Sequence, residues 1–458
     1  MSSKKNSATL TVDGLHRQLQ SIVGIYDRQN LKLAFSGGLD STVLLHLLAR
    51  LRETRDLDLQ AIHVHHGLHP DADTWVETCI NQCKRLDIEL VVEKVDVVPD
   101  EHGLEAAARQ ARYEALGKYV RSERDELLTA HHRDDQAETL LLHLVRGAGV
   151  NGMAGMPPRR RFKQGWLSRP LLETSRDAIQ SYALKNRLQW IEDDSNTDPA
   201  IRRSFLRQAV IPQLTRHWPG AINSMAQTAS HLREAEILLA HLAEEDLKTC
   251  RLNENTGLSV TAVARLSPER MRNLLRHWIL SQGADVPTTR QLAQLVQHIL
   301  QPPKTARAEL AWASHRVRLY RDRMWLVSDE VAAVAATITP LTWDLNVSKT
   351  LRLGNLGLMA TEGKGEGLAR ARTGSKIEVR TRQGGERCRL PGRKHHTSVK
   401  SLLQQHRISP WDRSSMPLLY IDNELAAIGD RWYCEPFAAR RGEHSWVFQM
   451  AKTGSKTD

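Results

Sequence analysis

The residues 36–41, Ser36-Gly37-Gly38-Leu39-Asp40-Ser41, follow the apolar run LKLAF at 31–35 and lead into the helical pattern STVLLHLLARL at 41–51. Such a junction suits phosphate. Two adjacent glycines let successive backbone N–H groups turn into one concavity, and a helix opening at Ser41 adds its positive end and unpaired first-turn amides. The hydroxyls of Ser36 and Ser41 can donate to phosphate oxygens, and Asp40 could hold a magnesium ion or orient the loop. No Lys follows the glycines, so this is not the G-x-x-x-x-G-K-[ST] phosphate loop. A plain Gly-Gly turn with Ser or Asp as a helix cap is the simpler alternative.

Other reactive residue types recur further on. HVHHGL at 63–68 contains His65, and EAAARQARY at 105–113 sets Arg109 and Arg112 on one helix face, where two guanidinium groups can grip phosphate or carboxylate. In TAHHRDDQAETLLLHLVRGAG at 129–149, His131, His132 and Asp134 close a strand pattern, while Asp135 and Glu138 are spaced like a capping box at a helix start. Asp193-Asp194-Ser195-Asn196-Thr197-Asp198 is followed by Arg202, Arg203 and Arg207. Arg387, Arg389, Arg393, Lys394 and Lys400 form a basic run near His395, Pro410 and Trp411, which suits an RNA backbone.

The elements that must carry these residues alternate. Strand patterns at 31–35, 59–66, 88–97 and 126–132 are separated by helical patterns at 41–51, 74–86 and 103–121, the rhythm of a doubly wound parallel α/β sheet. The 36–41 loop and the 129–135 segment then fall at carboxyl ends of strands, where such sheets bind ligands. After the breaker at 217–220 comes a long helical run at 222–247, with helices near 267–282 and 288–301 and a hairpin over 308–328. A small basic α+β segment closes the chain. The expected domains are 1–218, 219–340 and 341–458.

The strand followed by S-G-G-L-D-S resembles the pyrophosphate loop of the N-type ATP pyrophosphatase (PP-loop) family, whose members activate a substrate oxygen as an adenylate and release pyrophosphate. The segments at 63–68, 105–113, 129–149 and 193–207, with RPLL at 169–172, are similar to its tRNA(Ile)-lysidine synthase branch. Residues 379–430 resemble the carboxy-terminal tRNA-binding domain of the longer members of that branch. One position departs: Ser204 stands where the branch usually has Asn.

The resemblance implies ATP and magnesium as cofactors, and L-lysine and tRNA(Ile) with a CAU anticodon as partners; a homodimer is compatible with it. It implies that Ser36, Gly37, Gly38, Leu39, Asp40, Ser41 and His65 bind the nucleotide. Asp40, Arg109, Arg112, Asp134, Asp135 and Glu138 would carry the chemistry, with Asp40 and Asp135 the metal ligands. Arg202, Arg203, Arg207, Arg387, Arg389, Arg393, Lys394 and Lys400 would meet RNA. Thiolation of tRNA on the same loop, a glutamine-dependent synthetase, and an RNA-binding protein with a vestigial nucleotide site are the competing classes. The first is disfavoured because the five cysteines include no C-x-x-C pair, and no glutaminase-like segment supports the second.

Charge agrees with this division of labour. The 458 residues hold 64 Lys and Arg against 53 Asp and Glu, a net of +11, and residues 370–458 alone hold 17 against 9. The excess therefore sits where the RNA is expected, while the nucleotide region is nearly neutral apart from clusters such as Arg159-Arg160-Arg161. No apolar run is long enough to span a bilayer and no leader pattern opens the chain, so a cytoplasmic, non-membrane protein is expected.

Overall fold

A computed structural model describes residues 9–24, 29–98, 103–192, 202–252, 257–301, 308–328, 340–353, 356–406, 408–409, 412–413 and 416–452. The chain divides into two compact units, Met1–Leu238 and Leu239–Asp458.

The first unit is built on strands β1 (Asn30–Ala34), β2 (Asp58–His65), β3 (Glu89–Lys94), β4 (Asp125–Leu128), β5 (Arg159–Phe162) and β6 (Gly165–Ser168), in the spatial order β3-β2-β1-β4-β6-β5. All neighbours pair parallel except β5 and β6, which form an antiparallel hairpin at the edge. β1 lies between β2 and β4, so the chain winds to one side of β1, returns, and continues on the other. Strands covered on both faces should be apolar throughout. β4 departs from this, because its four residues are all buried although two of them, Asp125 and Glu126, are carboxylates.

Among the described residues six helices precede β5: α1 (Val12–Val23), α2 (Leu39–Arg52), α3 (Ala72–Arg85), α4 (Leu104–Gly117), α5 (Arg133–Val145) and α6 (Val150–Met153). α2 is apolar nearly all round, burying Val43, Leu44, Leu45, Leu47, Leu48 and Leu51, as a helix enclosed between a sheet and its neighbours must be. Its C-terminus is tied by Arg52, whose Nη2 donates to the carbonyls of Leu86 and Asp87 at 2.9 and 2.6 Å. Cys79 and Cys83 both face the core from α3. Beyond lie α7 (Arg176–Lys185), α8 (Arg202–Phe205), a π-helical turn at Leu206–Val210, and α9 (Ile211–His217).

Two expectations need adjusting. Arg159-Arg160-Arg161 is an edge strand rather than a bare charge cluster. Its alternating side chains are held by partners far away in sequence: Arg159 pairs bidentately with fully buried Glu126, and Arg161 pairs with Glu123. The helix expected from Ser41 begins two residues earlier, at Leu39, with Gly38 as its cap.

In the second unit, helices Pro268–Ser281 and Thr289–Leu300 pack in one core with an antiparallel sheet. That sheet includes Ala308–Trp312, His315–Tyr320 and Arg323–Ser328, so the expected hairpin is three strands of a four-stranded sheet. Two further antiparallel sheets follow, with the short helix Val399–Gln405 beside the paired strands Arg387–Cys388 and Thr397–Ser398.

Gly165 opens β6 where a Cβ would lie 2.3 Å from the Asp125 carbonyl oxygen and 2.6 Å from that of Ser122. Backbone cannot retreat as a side chain can. Gly165→Ala is therefore expected to destabilise the first unit by about 1–3 kcal/mol, read as a lowered urea midpoint; an unchanged midpoint would mean that β4 and β6 are packed less closely than described.

Candidate active site

The 36–41 loop leaves β1 at its carboxyl end and turns on Gly37, whose φ of 81° suits glycine. A Cβ there would also sit 2.4 Å from Ile191 Cδ1 and 2.8 Å from Cys79 Sγ. The turn is closed from within: Ser36 and Ser41 hydroxyls lie 3.0 Å apart, Ser41 Oγ donates to the Gly38 carbonyl at 3.0 Å, and Thr42 Oγ1 donates to that of Gly37 at 3.0 Å. No side chain caps the first turn of α2, which leaves its leading amides free to receive an anion. Behind the loop, buried His63 sits with Nδ1 2.9 Å from the Phe35 carbonyl oxygen.

Across the crevice, β4 delivers His131 and His132 to the start of α5. His132 is buried and central. Its Nε2 lies 3.6 Å from Asp40 Oδ2 and 3.6 Å from Asp135 Oδ2, and its Nδ1 lies 3.8 Å from Asp134 Oδ2. Burial drives its pKa down, but Asp135, Asp40 and Asp134 outweigh that and hold it above the ordinary histidine value. The reciprocal effect falls on Asp40. Burial raises its carboxyl, and the hydrogen bond and charge of His132, aided by Arg176 and Arg207, more than reverse the rise.

The expected capping box between Asp135 and Glu138 is not what forms. The cap residue is His132, whose backbone N–H donates to Asp135 Oδ2 at 2.9 Å. Glu138 lies one turn on, fully buried, and its Oε1 accepts from Arg207 Nε at 2.7 Å. Arg203 Nη1 is 3.8 Å from Glu138 Oε2, and Arg207 Nη2 is 3.6 Å from Asp135 Oδ1. Burial pushes the Glu138 carboxyl above its ordinary range despite both arginines. Asp134 turns aside to accept from the Arg176 N–H at 3.0 Å. Three buried atoms of this group, Asp40 Oδ1, His132 Nδ1 and Glu138 Oε2, have no hydrogen-bond partner, so donors and acceptors remain for a substrate.

The other named residues fall as follows. His65 ends β2 with Nε2 3.2 Å from Asp73 Oδ1. Arg109 and Arg112 both stack on Tyr113, at 5.0 and 5.8 Å from its ring centroid. Residues 193–198, Pro410 and Trp411 lie outside the described residues. In the second unit Arg387, Arg389, Arg393, Lys394 and Lys400 are all exposed, and among the described residues none of the five is paired with a carboxylate. Arg176 and Ile191 carried no local signal: each is placed by contacts distant in sequence.

Residues 12–214 match the family described as "PP-loop domain", residues 258–325 the "TilS substrate binding domain" and residues 377–450 the "TilS substrate C-terminal domain". The tRNA(Ile)-lysidine synthase of Coxiella burnetii is 39% identical over 94% of this chain and 95% of its own length. That of Alkalilimnicola ehrlichii is 41% identical over 90% of this chain and 91% of its own. The chain belongs to the tRNA(Ile)-lysidine synthase family. The same-named protein of Serratia proteamaculans is 38% identical over 96% of this chain and 99% of its own. As a lysidine synthase family member, the chain is an ATP-using ligase.

Arg207→Ala would leave Glu138 buried without its hydrogen-bonded cation, a loss of about 3–5 kcal/mol when the carboxylate is ionised. The folded pKa of Glu138 then rises further above its unfolded value near ~4.3. Stability contributed by a raised carboxyl is present below the unfolded pKa and lost as pH rises through the folded one. The destabilisation should accordingly grow as pH rises above the unfolded carboxyl value in urea unfolding, and Glu138→Gln should suppress that growth; a small, pH-independent loss would remove the pair from the account.

Proposed function

We propose that this chain joins L-lysine to C2 of the wobble cytidine of tRNA(Ile) bearing a CAU anticodon, through an adenylated cytidine. The observation that carries the reading is the meeting of Asp40, from the phosphate-suited loop, with His132, Asp134 and Asp135 across the crevice between β1 and β4. The cytidine O2 attacks the α-phosphorus of ATP, and pyrophosphate departs into the amides and hydroxyls of the 36–41 loop. Lysine then attacks C2 through its ε-amine and AMP leaves. An ammonium cannot attack, so a base must take its proton first. Glu138 is suited to that role, since its Oε2 has no hydrogen-bond partner and burial raises its affinity for a proton above that of an ordinary carboxylate.

Among the described residues no group of three or more His, Cys, Asp or Glu side chains is arranged to hold a metal ion by itself. Magnesium commonly takes one or two carboxylates and completes its shell with phosphates and water. The orphaned Oδ1 of Asp40, with Asp135 nearby on His132, fits that pattern. When bound, magnesium would offset charge on the phosphates. Arg109 and Arg112 would hold the adenylate or the lysine carboxylate, His65 would border the nucleotide, and Arg202, Arg203 and Arg207 would flank the RNA.

RNA affinity is assigned to 341–458 through Arg387, Arg389, Arg393, Lys394 and Lys400, leaving 1–218 to catalysis and 219–340 to tRNA support. Thiolation is disfavoured on a physical ground. Burial pushes the Cys79 and Cys83 thiols up to about 12, far from the thiolate that sulfur transfer needs.

The test supplies the full chain with ATP, labelled lysine and tRNA carrying a CAU anticodon. Label should enter the wobble cytidine, and Asp40→Ala should abolish tRNA-dependent pyrophosphate release while tRNA still binds. Label-free tRNA with the unaltered chain would refute the reading. Arg387→Ala with Arg393→Ala should raise the tRNA Kd and flatten its salt dependence by roughly one unit of slope per lost phosphate contact; an unaltered slope would remove this run from RNA binding.

A further inference from the structure

The first turn of α5 carries reacting side chains yet has little apolar anchorage. Arg133, Asp134 and Asp135 open the helix, and its buried face begins only at Gln136 and Ala137. A polar turn of this kind is placed by hydrogen bonds, because little apolar area is buried that could fix it. Part of the placement comes from the 173–176 segment: the Arg133 N–H donates to the Thr174 carbonyl at 2.9 Å, and Arg133 Nη2 donates to that of Glu173. The rest comes from a helix far along the chain.

That helix is α10 (Ala221–Cys250), whose residues as far as Leu238 belong to the first unit. Two of its side chains are tied to α5. Asn223 Oδ1 accepts from Arg133 Nη1 at 2.8 Å, a bond that joins residues 90 apart in the chain. Arg233 Nη2 donates to the carbonyls of Ala154 and Met156 at 3.0 and 2.9 Å. The same Met156 carbonyl accepts from Gln136 Nε2 at 2.8 Å, and the Met156 N–H donates to Gln136 Oε1 at 2.7 Å. Arg233 is thus joined to α5 through the Met156 backbone and one buried side chain. The junction is tight: a Cβ on Gly155 would lie 2.6 Å from Gln136 Oε1 and 3.3 Å from the Ala229 Cβ of α10. At ~1.5 Å of rise per residue, Asn223 and Arg233 are about 15 Å apart along α10. Ties so separated keep the two helices from pivoting about either one.

We propose that Asn223 and Arg233 are positioning residues for the reaction: they hold the first turn of α5, and with it His132, Asp134 and Asp135, at working distance from Asp40 across the crevice. The inference rests on the functional reading above, because the place of α5 bears on rate only if its side chains meet the reacting groups. Neither Asn223 nor Arg233 does so itself. A displaced α5 would alter the 3.6 Å separation of His132 and Asp40. Small misplacements of reacting groups are costly in rate, and a fault felt only in the transition state lowers kcat without weakening substrate binding. The part of α10 within the first unit thus serves catalysis, although by sequence it opens a helical region of its own.

The test uses the full chain and reads both lysidine formation and amide hydrogen exchange over residues 133–138. Asn223 is exposed, so its replacement leaves the core untouched. Asn223→Ala should lower kcat by about threefold to tenfold, the worth of one hydrogen bond, while KM for tRNA and for ATP changes by less than about twofold. Exchange over 133–138 should quicken and the urea midpoint should hold. Asn223→Asp still accepts from Arg133 and should restore most of the rate. Because one bond joins the pair, Arg133→Ala with Asn223→Ala should lose no more than Arg133→Ala alone. Arg233→Ala should lower kcat and quicken exchange likewise. Unchanged kcat and exchange in Asn223→Ala would overturn the proposal, as would losses that add in the double variant, or a rise in KM for tRNA with kcat unaltered. If the unaltered chain forms no lysidine, the functional reading fails and exchange alone decides: quicker exchange in Asn223→Ala supports the tie between the helices, and equal exchange overturns it.

Discussion

The placement of β1 between β2 and β4 is the constraint on which the site depends. Because both neighbours pair parallel to β1, three strand ends open on one edge, and the loops leaving β1 and β4 diverge to opposite sides of the sheet. A crevice must form between them. The 36–41 loop brings free amides and Asp40 to one wall, and α5 brings His132, Asp134 and Asp135 to the other. Neither wall alone has the means both to cradle phosphate and to move a proton. The 3.6 Å approach of His132 to Asp40 is what unites them.

Around that crevice charge is arranged in two ways, with Arg203 common to both. On one side carboxylates surround a buried histidine and are themselves met by Arg203 and Arg207, so that charge is closely balanced while a few oxygens stay unpartnered. On the other, arginines crowd around Tyr113 and His131, a histidine held neutral.

Much of the frame was legible because its signals are local. An apolar strand, two glycines and a helix define the phosphate loop within about twenty residues, and the helices at 268–281 and 289–300 announce themselves by period and caps. What was not legible depends on partners distant in sequence. Three successive arginines at 159–161 gave no strand signal, since Glu126, Glu123 and the Trp166 ring, which lies 4.1 and 4.2 Å from Arg159 and Arg161, hold them in place. The Asp135 and Glu138 spacing suggested a cap, yet His132 takes that position and frees Glu138 to bind Arg207, 69 residues away. Likewise Ile191, which donates its N–H to the Gly37 carbonyl at 2.9 Å and crowds that glycine, lies too far along the chain to be read as part of the loop.

The central claim is that the β1/β4 crevice transfers AMP to a tRNA cytidine before lysine reacts. It is tested most directly by incubating the protein with tRNA and ATP labelled at the α-phosphorus, with lysine left out. The account predicts label on the wobble cytidine, chased off as AMP when lysine is added. Lysidine formed while label never reaches the tRNA would contradict it.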